Sequence, residues 1–412
     1  MRKTTGVVLL IALLVMGTMS QVAFAAKEIS IFISMPEYAD AIRELINEYK
    51  KVKPDVVIHY ETTQSDYPTL LKVKLNSGDL PDIFASTTGK EIELYKEYSL
   101  DLSDQPLANA MEKAVRDSMA DANGNGVYGL AIKGNYFGMV YNKGLFEELG
   151  VKVPETFAEL ETAIEQFNAA GITPFSSGFG EWWVFKHAFQ HFLAAATDNV
   201  PGLVQQFEQG QAKFKDYPEL YENWFRFVDL VYANGDAKPL ESTISTEIAA
   251  LALGQAAMVV GQGPWIEADV KAIDPEIKIG IAGYPVSDNA AQAQVIAGAD
   301  QAMRISNSSD AEQEVLDFIN WWYTSDYGET WFIDVAKVVS PIVTDRMADF
   351  DLVRDGAMQV SERGSAPIGI IYSTDSFHMS FGEIMQAYLG GQLTKDEACA
   401  QIEQKWMEID GQ

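Results

Sequence analysis

The chain reads as an α/β protein of two domains, and three observations carry that reading. Its 412 residues, 47% apolar and 22% charged, have an ordinary globular composition but exceed what one hydrophobic core usually serves. A strand, a helix and a strand follow one another near the start, which is the parallel crossover unit of α/β domains. The same alternation returns far downstream with no low-complexity linker and no internal repeat between. The chain is therefore expected to cross between its domains more than once.

The elements follow in order. Ile29 to Ser34 alternates as a strand, Ile42, Leu45, Ile46 and Tyr49 mark one helical face that Pro54 ends, and Val56 to Tyr60 is the next strand. After Pro154, Thr156 and Glu159 suit a capping box, Phe157, Leu160, Ile164 and Phe167 form the buried stripe, and Gly171 closes the helix. Trp224, Phe227, Val228 and Val231 mark another helix, as do Val315, Phe318, Ile319 and Trp322. Cys399 shares helical spacing with Ala398, Ile402 and Trp406, so it reads as a small buried hydrophobe.

Ahead of the first strand, Arg2 and Lys3, the apolar run Val7 to Met16 and the step Ala23-Phe24-Ala25 have the layout of a secretory signal peptide over residues 1–25. A membrane anchor needs a longer apolar run. The sole cysteine, Cys399, is too distant to carry lipid behind the cleavage site, so the mature chain is expected free in a periplasm. It also excludes an internal disulfide.

A net charge of −29 removes nucleic acid from the expected partners, since few cations are available to neutralise phosphates. Catalytic signatures are missing from the sequence. It has no Gly-x-Ser-x-Gly elbow, no phosphate-cradling loop and no His-Glu-x-x-His. Asp121, Asn123, Asn125 and Gly126 imitate half a calcium loop, but its twelfth position is Ile132 rather than Glu, which leaves a plain turn. His187 and His191, four apart, have no third ligand in a recognisable pattern and read as core or surface residues. No cofactor and no metal is expected.

Four segments in order resemble the family 1 extracellular solute-binding proteins. They are Leu75-Asn76-Ser77-Gly78-Asp79-Leu80-Pro81-Asp82-Ile83-Phe84; Tyr128-Gly129-Leu130 leading to Tyr141-Asn142-Lys143 and Leu145-Phe146; Gly254 to Trp265; and Ile279 to Val286 with Gly298-Ala299-Asp300. The resemblance implies the two-lobed periplasmic-binding-protein fold with a multi-segment hinge and a ligand cleft between lobes. It implies one lobe over 27–133 plus 295–338 and a second over 134–294 plus 339–412. It also implies a non-enzymatic, monomeric substrate-binding protein of an ABC importer, with a sugar as ligand and membrane permease subunits as partners.

A sugar pocket needs aromatic platforms for C–H faces and amides or carboxylates for hydroxyls. Trp265, after Gly261-Gln262-Gly263-Pro264 at the end of an apolar strand, is the foremost candidate. The resemblance adds Asn135, where maltose-binding relatives carry a carboxylate, with Tyr136 beside it. It also adds Glu181, Trp182 and Trp183, of which one tryptophan is expected in the cleft and the other in the core. Asp300, Glu61, Phe377 and His378 complete the set, with Thr87 and Thr88 as weaker additions. Asp82 is expected to brace its turn. A cationic ligand such as a polyamine and an exported glycosidase are the competing readings, and signalling to a chemoreceptor is a further output.

Overall fold

The computed structural model describes residues 27–409 apart from 64, 122, 123, 125 and 367–372. The signal segment therefore lies outside the described residues. Two separate sheets organise the rest. The first has the order β10-β3-β1-β2, with β1 (Lys27–Ile33) parallel to both β2 (Val56–Thr62) and β3 (Ile83–Thr87), and β10 (Gln301–Ile305) antiparallel on the far side of β3. The helix Ala39–Val52 makes the first crossover and buries Ile42, Leu45 and Tyr49 against the sheet. Alternation holds only in the first half of β1. Ile31, Phe32 and Ile33 are all buried, because a parallel sheet is covered on both faces. Entry to β3 is fixed by Gly78, whose φ of 72° ends the helix Tyr67–Ser77, and by Asp82, which accepts from Ser30 N–H and Ser30 Oγ, both at 2.7 Å, and from Ser309 Oγ.

The second sheet has the order β6-β7-β5-β8, from β5 (Met139–Asn142), β6 (Thr173–Ser176), β7 (Ala256–Val259) and β8 (Ile279–Ala282). Only β6 and β7 run parallel. The helix Phe157–Ala169 packs Phe157, Leu160, Ile164 and Phe167 beside it. Thr156 Oγ1 accepts from Glu159 N–H as expected, but the Glu159 carboxylate accepts from Glu155 N–H at 2.8 Å instead of returning to Thr156. The capping box is thus half formed, with Lys152 pulling Glu159 outward at 2.6 Å. An aromatic core follows, in which Trp406 stacks on Phe207 and Phe377 at 4.6 Å each. Cys399 lies within it, and burial pushes its thiol up to about 12. A second core, around Trp322, Phe332 and Phe84, belongs to the first sheet and draws residues from 29–132 and 299–342.

Three chain segments run side by side between the two sheets. β4 (Asn135–Phe137) pairs antiparallel with β9 (Ile296–Gly298), and single bridges join Leu130 to Met303 and Gly134 to Val339. The turn from Asp121 to Gly126 closes by Asp121 N–H to Gly126 C=O at 3.1 Å, and the Asp121 carboxylate is paired with Lys96 at 2.5 Å. Asn123 and Asn125 lie outside the described residues.

Candidate functional site

A cavity of about 60 Å³ lies where the two bodies meet. The first body supplies Ser34 just after β1, Tyr67 at the start of its helix, Asp300 between β9 and β10, and Gln301 at the start of β10. Lys133 comes from the crossing. The second body supplies Trp182, Trp183, Lys186 and His187 from the first turns of the helix Trp182–Ala196, with Trp265 and Asp375. The position agrees with the rule that open α/β sheets bind ligands beyond their strand ends.

Trp265 reaches the cavity because Gly261, with φ 74°, turns the chain after β7, and Pro264 starts a single helical turn. Its indole is half-buried and meets the edge of His187 at 5.5 Å and Phe137 at 5.8 Å. Lys133 Nζ stands 4.9 Å from the ring centre. His187 donates from Nδ1 to Gly261 C=O at 2.8 Å, since a carbonyl only accepts, which leaves Nε2 as an acceptor. Burial lowers its pKa to about 3, so the ring is neutral.

Two ion pairs stand in the cleft. Asp300 accepts from Asn135 Nδ2 at 2.8 Å and faces Lys133 Nζ at 3.8 Å. Burial alone would raise its carboxyl, but Lys133, then Lys186 and the Asn135 bond, hold it below the ordinary value. Lys186 pairs with Asp375 at 2.8 Å, and His378 Nδ1 lies 3.3 Å from the same carboxylate. Here too burial is outweighed, by Lys186 and His378, and Asp375 stays well below the usual range. Glu91 reaches across from the first body. Its buried carboxylate accepts from Thr87 N–H and from Asp375 N–H, each at 2.8 Å, so it bridges the two bodies at the head of the helix Asp375–Leu389.

Of the residues expected at the site, Trp265, Trp182, Trp183 and Asp300 line the cavity. Both tryptophans touch it, Trp183 one turn before His187 and Trp182 one turn before Lys186 on the same helix start, and Trp183, 5% exposed, belongs at the same time to the aromatic core. Asn135 stands behind Asp300. Tyr136, next along β4, points the other way and packs on Gly356, as alternation along a strand requires. Glu181 ends outside the lining, just ahead of the helix. Glu61 is exposed near the end of β2, away from the cavity. Phe377 lies in the aromatic core and His378 behind Asp375. Thr87 and Thr88 are buried, with Thr88 Oγ1 donating to Ala299 C=O at 3.0 Å. Lys133, Lys186, Asp375, Glu91 and Glu37 went unseen. Lys186 and His187 could have been found from the helical turn after the two tryptophans. The others come together only in three dimensions.

A family model described as bacterial extracellular solute-binding protein matches residues 34–329. The chain belongs to that family. Among its relatives, a multiple sugar-binding protein of Streptococcus mutans is 25% identical over 309 residues, 72% of this chain and 71% of the relative. A melibiose/raffinose/stachyose-binding protein of Bacillus subtilis is 24% identical over 302 residues, 72% and 70% of the two chains. Among solved structures, a sugar transporter protein of Bacillus licheniformis in complex with stachyose superposes at a TM-score of 0.78 with 20% identity, over 93% of this chain and 100% of that one. A chitin oligosaccharide binding protein gives 0.79 at 18%, over 93% and 99%. These structures share the two-lobed α/β fold of the solute-binding family.

Proposed function

We propose that this solute-binding protein captures a sugar, a mono- or oligosaccharide, by closing two lobes over the cleft, and delivers it to the permease subunits of an ABC importer. The observation that carries the reading is the cavity itself, where three indoles meet paired carboxylates and lysines. Apolar ring faces match the C–H faces of a sugar, and fixed ion pairs present both donors and acceptors to its hydroxyls. The names of the relatives support the same ligand class. A polyamine is disfavoured because Lys133 and Lys186 already occupy Asp300 and Asp375, the carboxylates that a cationic ligand would need. The lobes are taken as 27–133 plus 295–338 and 134–294 plus 339–412, acting as a monomer without cofactor or catalytic step. We place the mature chain in the periplasm after signal cleavage. Among the described residues no helix is long and apolar enough to cross a membrane.

A thermal-shift series with melibiose, raffinose, stachyose and spermidine tests this, because a ligand that binds only the native state raises its melting temperature. A clear shift with at least one sugar is expected. A shift with spermidine and none with any neutral sugar would overturn it.

A further inference from the structure

Trp265 is held from behind by two side chains that never reach the cavity. Its Nε1–H donates to Gln262 Oε1 at 3.0 Å, Gln262 Nε2 donates to Glu247 Oε2 at 2.6 Å, and Glu247 Oε1 accepts from Val260 N–H at 3.1 Å. Gln262 is 1% exposed and Glu247 is fully buried. We infer that Glu247 and Gln262 are positioning residues, which fix the Trp265 indole in the orientation that meets ligand. This inference rests on the proposed role of Trp265 as a sugar platform.

The direction of the bonds gives the chain its purpose. The indole N–H can only donate, so the Gln262 amide must present its carbonyl to it and its NH₂ to Glu247, which also accepts from Val260 N–H. Rotating that amide by half a turn would set NH₂ against the indole N–H. The backbone is cleared at both ends of the chain. A Cβ on Gly178, itself at φ 62°, would lie 2.5 Å from Glu247 Oε2, and a Cβ on Gly263 would lie 2.3 Å from the indole carbon Cζ3. Among the described residues Glu247 has no cation within ion-pair distance, and burial pushes its carboxyl well above the usual range against the pull of Gln262 and Val260. An uncompensated buried acid is costly, and the side chain it bonds is that of Gln262. Orientation of the platform is what this cost obtains.

The test uses the mature chain labelled with ¹⁵N, the Trp265 indole resonance being assigned by its loss in Trp265→Phe. In Gln262→Leu that resonance should shift and exchange faster with solvent while the other tryptophan indoles stay in place, and Glu247→Gln should move it partway. Raffinose affinity by calorimetry should fall about five- to tenfold in Gln262→Leu, the loss of one hydrogen bond, and should not fall further when the change is made in Trp265→Ala. An unmoved Trp265 resonance in Gln262→Leu overturns the inference, as does an affinity loss of the same size in the Trp265→Ala background. Should Trp265→Ala bind raffinose normally, or raffinose not bind at all, the platform reading fails or loses its probe, and the indole resonance still decides whether the two residues position the ring.

Discussion

Removal of the Trp265 indole takes away a ring face and its buried area, while Gln262 keeps its bond to Glu247. Trp265→Ala is therefore expected to weaken sugar binding by about 1 to 3 kcal/mol with only a modest fall in melting temperature, as measured by calorimetry against the sugar that gives the largest thermal shift. Asp300 behaves differently. Its partner Lys133 is only 6% exposed, so Asp300→Ala leaves a buried ammonium and should cost about 3 to 5 kcal/mol in stability as well as affinity. Equal melting temperatures for the two variants would contradict that assignment. Residues differed in how legible they were for physical reasons. Trp265 follows a turn that must break a buried strand, a local signal. Phe377, a site candidate, stands four before Phe381 and eight before Met385 on one helical face, the periodicity of a core residue, and it packs in the aromatic core. Lys133 carries no motif and acquires its meaning only from Asp300, far along the chain.

The long elements were legible because each states its own period and its own stop, as the helix Ala39–Val52 and the helix Trp224–Ala233 do. Three-residue strands are another matter. β4 and β9 are too short to show alternation, and each exists only because the other pairs with it across the hinge. The brace at the start of β3 sits between these extremes. Asp82 was expected to be structural from the Pro-Asp step, but its partners Ser30 and Ser309 lie on distant segments that only the fold brings together. Asp82→Ala leaves the Ser30 N–H without its acceptor and should lower stability by about 2 to 4 kcal/mol, with sugar affinity retained once folded. Denaturant midpoints and binding at low temperature would separate the two effects, and a lost affinity with unchanged midpoint would show that Asp82 serves the site.

At the scale of the whole molecule, the cavity of about 60 Å³ has room for a few waters, far short of the roughly 300 to 1,000 Å³ of a ligand pocket. Lobes that meet this closely must part to admit a sugar and close again on it, and contacts between them set the balance. Small-angle scattering should show a smaller radius of gyration at saturating sugar than without it, and an unchanged radius would leave a static site. Glu91 gives the balance a pH dependence. Burial, then the charge of Asp375, pushes its carboxyl from 4.5 to about 7 while the lobes touch. When they part, Glu91 regains water and moves away from Asp375, so its pKa falls back toward the ordinary value. Closing therefore takes up a proton. The contribution is complete below the open-form value and is lost as pH rises through about 7. Asp375, held low, is ionised across that range, while His378 and His187, lowered by burial to about 4 and about 3, oppose the trend below about pH 6.5 wherever opening returns water to them, so the Glu91 effect is read above that pH. Glu37 at the same mouth keeps an exposed surface, and the protein crowded around it raises its carboxyl against the pull of Lys133, with the same sign. Sugar affinity is thus expected to decline between the open-form Glu91 value, near 4.5, and about pH 7, by up to about tenfold for each unit by which closing raises the Glu91 pKa. Glu91→Gln should flatten the profile and Glu37→Gln should trim it. A profile that keeps its full slope in Glu91→Gln would place the titrating group elsewhere.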